Sequence, residues 1–112
     1  MAKPYQRIAQ IAEAMAREIS VFLQKELAER FGIITCTRVE LDSDLKNGIA
    51  FISIFPPLNE AKRLDTIIKP NLKELMAHVK KQVPVKWLPH LEFQLDDSEK
   101  EANRIYGIMD KI

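Results

Sequence analysis

The sequence predicts a two-layer α+β domain in which helices cover one face of a three-stranded sheet. Apolar residues recur at three and four in long stretches at the start, in the middle and at the end of the chain, the period of amphipathic helices. Three short runs between them alternate at two, the period of half-buried strands. The resulting order is helix, strand, strand, helix, helix, strand, helix, and such an arrangement packs its helices together on one side of the sheet.

The first helix is expected from about Tyr5 to Arg30. Ile8, Ile11, Met15, Ile19, Phe22, Leu23 and Leu27 mark its apolar face, with Arg7, Gln10, Arg17 and Gln24 opposite. Gly32 follows the last periodic residue, where a helix end favours glycine. Ile33 to Leu41 is rich in β-branched residues and reads as the first strand. Turn chemistry ending in Asn47-Gly48 separates it from a second strand, Ile49 to Phe55. Pro56-Pro57 ends that strand, because neither proline can donate to a sheet ladder.

Asn59 is placed to cap a second helix bearing Leu64, Ile67 and Ile68. Pro70 removes a helical hydrogen bond and biases Lys69 away from helical angles, which predicts a break or kink at about Lys69–Asn71. The apolar stripe resumes in register with Leu72, Leu75, Met76, Val79 and Val83, so the two segments share one core face until Pro84. The third strand is expected from about Lys86 or Trp87 to Asp96, with Leu91, Phe93 and Leu95 alternating. Ser98 and Glu101 then form a capping box for a last helix, Glu99 to Lys111.

A chain of 112 residues reads as a single domain, residues 1–112. No apolar run approaches the roughly 18 residues of a membrane span, and Met1-Ala2-Lys3-Pro4 lacks the apolar stretch of a signal peptide. One cysteine, Cys36, excludes an internal disulfide framework and suits a reducing cytoplasm. It sits in a strand pattern with no basic neighbour closer than Arg38, so it reads as an inert thiol. His78 and His90 fall on polar faces, far apart and without metal-ligand spacing to Cys36. With no glycine-rich phosphate loop either, the expectation is a protein that is not an enzyme and needs no metal or cofactor.

The net charge is only +1, but residues 60–90 carry seven basic groups against three acidic ones. An anionic partner is therefore to be sought there. A helix beginning at Asn71 would offer its first N–H groups to phosphate, flanked by Lys69 and Lys73. Lys80, Lys81 and Lys86 lie further along. The plainer reading of these lysines is a solvated helix face. Trp87, the aromatic residue among them, reads as an anchor at the rim of the core rather than a base-stacking platform.

Several residues carry a resemblance to ribosome-binding factor A, a bacterial family of small-subunit assembly factors. They are Thr37-Arg38-Val39-Glu40 with Asp44-Leu45, then Pro89 with Leu91, Phe93, Asp96 and Ser98. The resemblance runs from about Arg7 to the last helix. It implies a KH-like fold of type II, order α-β-β-α-α-β, with the final helix added and the helix pair kinked near Pro70. It also implies that an Ala-x-Gly kink replaces the GXXG loop with which KH domains clamp RNA. This chain has Asn71-Leu72-Lys73 there, with Lys73 at the family's glycine and Met76 at a usual arginine.

The function expected from the resemblance is a cytoplasmic, non-catalytic RNA-binding factor. It would bind the immature small ribosomal subunit and assist late rRNA processing and folding. The expected contacts are Lys69, Asn71, Lys73, Lys80, Lys81 and Lys86. The alternative is a self-associating module with little RNA affinity. It would use Ile49, Phe51 and Phe55, which share the second strand with the opposite set Ala50, Ile52 and Ile54. A monomer is favoured over a homodimer.

Overall fold

The computed structural model describes residues 4–96. Their order is α1 (Pro4–Phe31), β1 (Ile33–Leu41), β2 (Asn47–Phe55), α2 (Glu60–Gln82) and β3 (His90–Leu95). The sheet runs β1-β2-β3, with β1 antiparallel and β3 parallel to β2. The expected last helix and its Ser98–Glu101 cap lie outside the described residues.

On α1, Ile11, Met15, Ile19, Phe22, Leu23 and Leu27 are buried. They meet Ile34, Cys36, Val39, Ala50, Ile52 and Ile54 from the sheet and Leu64, Ile67, Ile68, Leu75 and Val79 from α2. Gly32 ends α1 with φ of 88°. A Cβ there would stand 2.5 Å from the Phe55 carbonyl oxygen, so both backbone angle and space call for glycine.

β1 is not a regular strand. Its register against β2 shifts between Cys36 and Arg38, a bulge that accommodates Thr37. The extra residue lets Cys36 and Val39, three apart, both face the core, while Thr37 and Arg38 are exposed. Strict alternation would place Cys36 and Val39 on opposite faces. α1 covers the edge of β1 here: the Ser20 hydroxyl accepts the Cys36 N–H at 2.8 Å and donates to its carbonyl at 3.2 Å. An otherwise unpaired stretch of edge strand is thereby satisfied.

α2 corrects the expected helix pair. It is a single helix from Glu60 to Gln82 with Pro70 inside it. A mid-helix proline costs about 3 kcal/mol. Burying Leu64, Ile67, Ile68, Leu75 and Val79 contributes about 1.5–3 kcal/mol each. Burial wins because both halves of the stripe meet the same core. Pro70 itself is exposed, and the neighbouring Asn71 side chain donates to the Ile67 carbonyl at 2.7 Å. Asn59 stands at the helix start as expected but does not cap it with its side chain. It adopts φ 51°, ψ 43°, a left-handed conformation that asparagine tolerates.

β3 begins at His90, later than the sequence pattern suggests, and residues 83–89 form an irregular connection. His90 N–H donates to the Lys46 carbonyl and Asp96 N–H to the Ile52 carbonyl, both at 2.8 Å, which locks β3 beside β2 at its two ends.

Candidate nucleic-acid interface

A continuous α2 places its lysines differently from a broken one. Lys62, Lys69, Lys73 and Lys80 are spaced at seven, four and seven, so they align along one side of the helix. That side is opposite the buried stripe, and all four are exposed. They span about 27 Å at 1.5 Å per residue. Asp65 and Glu74 fall to either side of the line, and none of the four lysines joins an ion pair among the described residues. The result is a single-sign row of ammonium groups on a rigid element, suited to an anionic strand.

Of the six residues expected at the interface, Lys69, Lys73 and Lys80 stand in this row. Lys81 is exposed one residue round the helix, and Lys86 lies in the connection after α2. Asn71 does not open a helix. It lies within α2, half-buried, and its side chain is bonded to the Ile67 carbonyl, so no free helix start faces solvent there. Lys62 escapes sequence reasoning because a break at Pro70 assigns it to another segment. The seven-four-seven spacing reveals it once the helix is continuous. Arg63 is used elsewhere: its guanidinium donates to the Pro56 and Leu58 carbonyls and ties down the turn before α2.

Trp87 overturns the expected core anchor, being 74% exposed. It lies in a second basic cluster, where a cavity of about 290 Å³ is bounded by Arg7 and Ile11 of α1, Asp44, Leu45 and Lys46 of the β1–β2 turn, and Val85 to Trp87. The turn is held by Asp42, whose Oδ1 accepts the Lys46 N–H at 2.9 Å and Oδ2 the Asn47 N–H at 3.1 Å. Desolvation pushes the Asp42 carboxyl up, but its hydrogen bonds with Asn47, Asp44 and Lys46 outweigh this and hold it below the ordinary carboxylate value.

Thr37, Arg38 and Asp96, far apart in sequence, come together across the sheet. The Thr37 hydroxyl bonds to Asp96 Oδ2, and the Arg38 guanidinium lies 3.8 Å from Asp96 Oδ1 and 3.9 Å from the Phe51 ring centroid. These residues brace the bulge against the end of β3. Arg38 also lies over the sheet face that neither described helix covers, where Ile49 and Phe51 are half-buried. Phe55 and its cross-strand partner Ile33 are each 61% exposed. His78 is not simply on a polar face; its Nε2 meets Glu18 Oε1 at 3.0 Å between α2 and α1. Among the described residues no group of three or more His, Cys, Asp or Glu could hold a metal.

A family model described as Ribosome-binding factor A matches residues 7–109. The chain belongs to the ribosome-binding factor A family. The ribosome-binding factor A of Brevibacillus brevis is 32% identical over 107 residues, covering 95% of this chain and 88% of the relative. That of Ectopseudomonas mendocina is 29% identical over 119 residues, covering 99% and 89%. The crystal structure of ribosome-binding factor A from Thermus thermophilus matches the fold with a TM-score of 0.64 at 22% identity, over 79% of this chain and 94% of that one. A homology model of the Thermus thermophilus factor, as fitted into the cryo-EM map of a 30S–ribosome-binding factor A complex, gives the same TM-score at 21% identity, over 80% and 96%. The α+β fold is thus the KH-like fold of ribosome-binding factor A.

Proposed function

We propose that the chain is a non-catalytic, RNA-binding ribosome maturation factor. It binds the immature small ribosomal subunit in the cytoplasm, as one domain, and assists late processing and folding of its RNA. Family membership and the 30S complex of the Thermus thermophilus factor support this reading. The observation that carries it on this chain is the row Lys62, Lys69, Lys73 and Lys80 on the solvent side of α2. Binding through such a row is physical: lysines displace the counterions condensed on the RNA phosphates, so affinity falls steeply with salt, and release follows when the RNA rearranges. Lys81, on the same helix, and Lys86, in the connection after it, are further lysines proposed to contact RNA.

Co-sedimentation with immature and mature small subunits across a salt series tests it. The expected result is saturable, salt-sensitive binding that prefers the immature particles. Equal binding to both, or none at low salt, removes the maturation role.

A further inference from the structure

We propose that the cavity beside Trp87 receives one unpaired base of an RNA strand, stacked on the indole, while Arg7, Lys46 and Lys86 hold the flanking phosphates. The proposal rests on the RNA-binding reading and adds to it a second contact of different chemistry, at a different place from the α2 row.

Four observations carry it. Tryptophan is mostly buried in folded proteins, yet Trp87 is the most exposed large apolar side chain among the described residues. The indole stands beside a cavity rather than on a flat surface, with Ile11, Leu45 and Val85 supplying apolar wall. Its volume, about 290 Å³, is at the foot of the ~300–1,000 Å³ range of small-molecule sites, the scale of one flat ring system rather than a whole cofactor. The charge around it is lopsided: three cationic side chains line the cavity against the single carboxylate of Asp44. Lys86 Nζ lies 6.0 Å from the indole centroid, at the outer limit of a cation–π contact.

An aromatic platform within a cationic rim is the combination that binds single-stranded nucleic acid: stacking takes the base and the cations take the backbone. An acidic partner protein would also match the charge and could cover the ring, but the lysine row on α2, the helix just before Trp87, favours a polyanionic strand. The rim is also pre-formed, because the two Asp42 hydrogen bonds to the Lys46 and Asn47 N–H groups fix the turn that carries Leu45 and Lys46. Lys86 lies six positions after Lys80, at most about 22 Å along the chain, so one strand can run from the α2 row to the cavity.

Trp87 is the only tryptophan in the sequence, so its emission reports this site alone. A short single-stranded oligocytidylate carrying an end label is titrated while label anisotropy and Trp87 emission are read together. Inorganic polyphosphate serves as the anion without bases. We expect quenching with the midpoint of the anisotropy curve, and none with polyphosphate. Trp87→Ala should weaken binding about 5- to 150-fold, the loss of one base stack, while Trp87→Phe retains most affinity. If anisotropy rises with Trp87 emission unchanged and Trp87→Ala binds as the parent does, the cavity is not a base site though the RNA-binding reading stands. Equal quenching by polyphosphate leaves a purely electrostatic contact and also overturns it. No anisotropy change at low salt overturns both readings.

Discussion

Cys36 shows how a single side chain records its surroundings. Burial beneath α1 pushes its thiol up from 9.0 to about 12. Between those values the unfolded chain has released a proton that the native chain retains. The stabilisation is therefore complete below pH 9 and lost as pH rises toward 12, at up to about 1.4 kcal/mol per pH unit. Urea melts of Cys36→Ala should show a shallower alkaline decline than the parent; parallel declines would place the titration at other groups. The inert thiol was legible from its strand context, and Gly32 from its place after the last periodic residue. Trp87 was not. Residue type argues for burial, and only the irregular path of residues 83–89 leaves the ring outside.

At the scale of elements, the instructive case is α2. A proline reads locally as a break, and that local rule lost to five buried side chains on one stripe. The stripe was visible in the sequence, but its reach across Pro70 depended on α1 and the sheet offering one continuous surface. Pro70→Ala should restore a backbone N–H to the helix and raise stability by as much as about 3 kcal/mol. At roughly 4 °C per kcal/mol, thermal melts resolve this easily. RNA affinity should stay unchanged, because the row needs a continuous helix and Pro70 is not what aligns it. A variant that is more stable but binds weakly would mean that the proline shapes the interface. The bulge in β1 was hidden for a related reason. Cys36 and Val39 break the two-residue alternation, but only pairing with β2 shows which residue is the extra one.

The whole molecule carries a net charge of only +1, so attraction to RNA has to come from where charge sits. If Lys69 and Lys73 each neutralise one phosphate, Lys69→Ala/Lys73→Ala should lower the slope of log affinity against log salt by about 1.5. An unchanged slope and affinity would remove both from the interface. The succession of strands in residues 4–96 was legible, since periodicity encodes burial, but the helix count was not, because the two expected middle segments form one helix. The α2 row was less legible, because collinearity is a property of an unbroken helix and not of spacing alone. β3 pairs with β2 in parallel. Because these neighbours run in the same direction, residues 56–89 form one crossover whose ends are pinned to adjacent strands. That crossover holds every lysine of the row, and Lys86 and Trp87 as well. The proposed α2 row and Trp87 thus ride on one crossover, while Arg7 and Lys46 belong to the frame beside it. Exchanges within the crossover can alter the charge it presents while the sheet keeps its architecture.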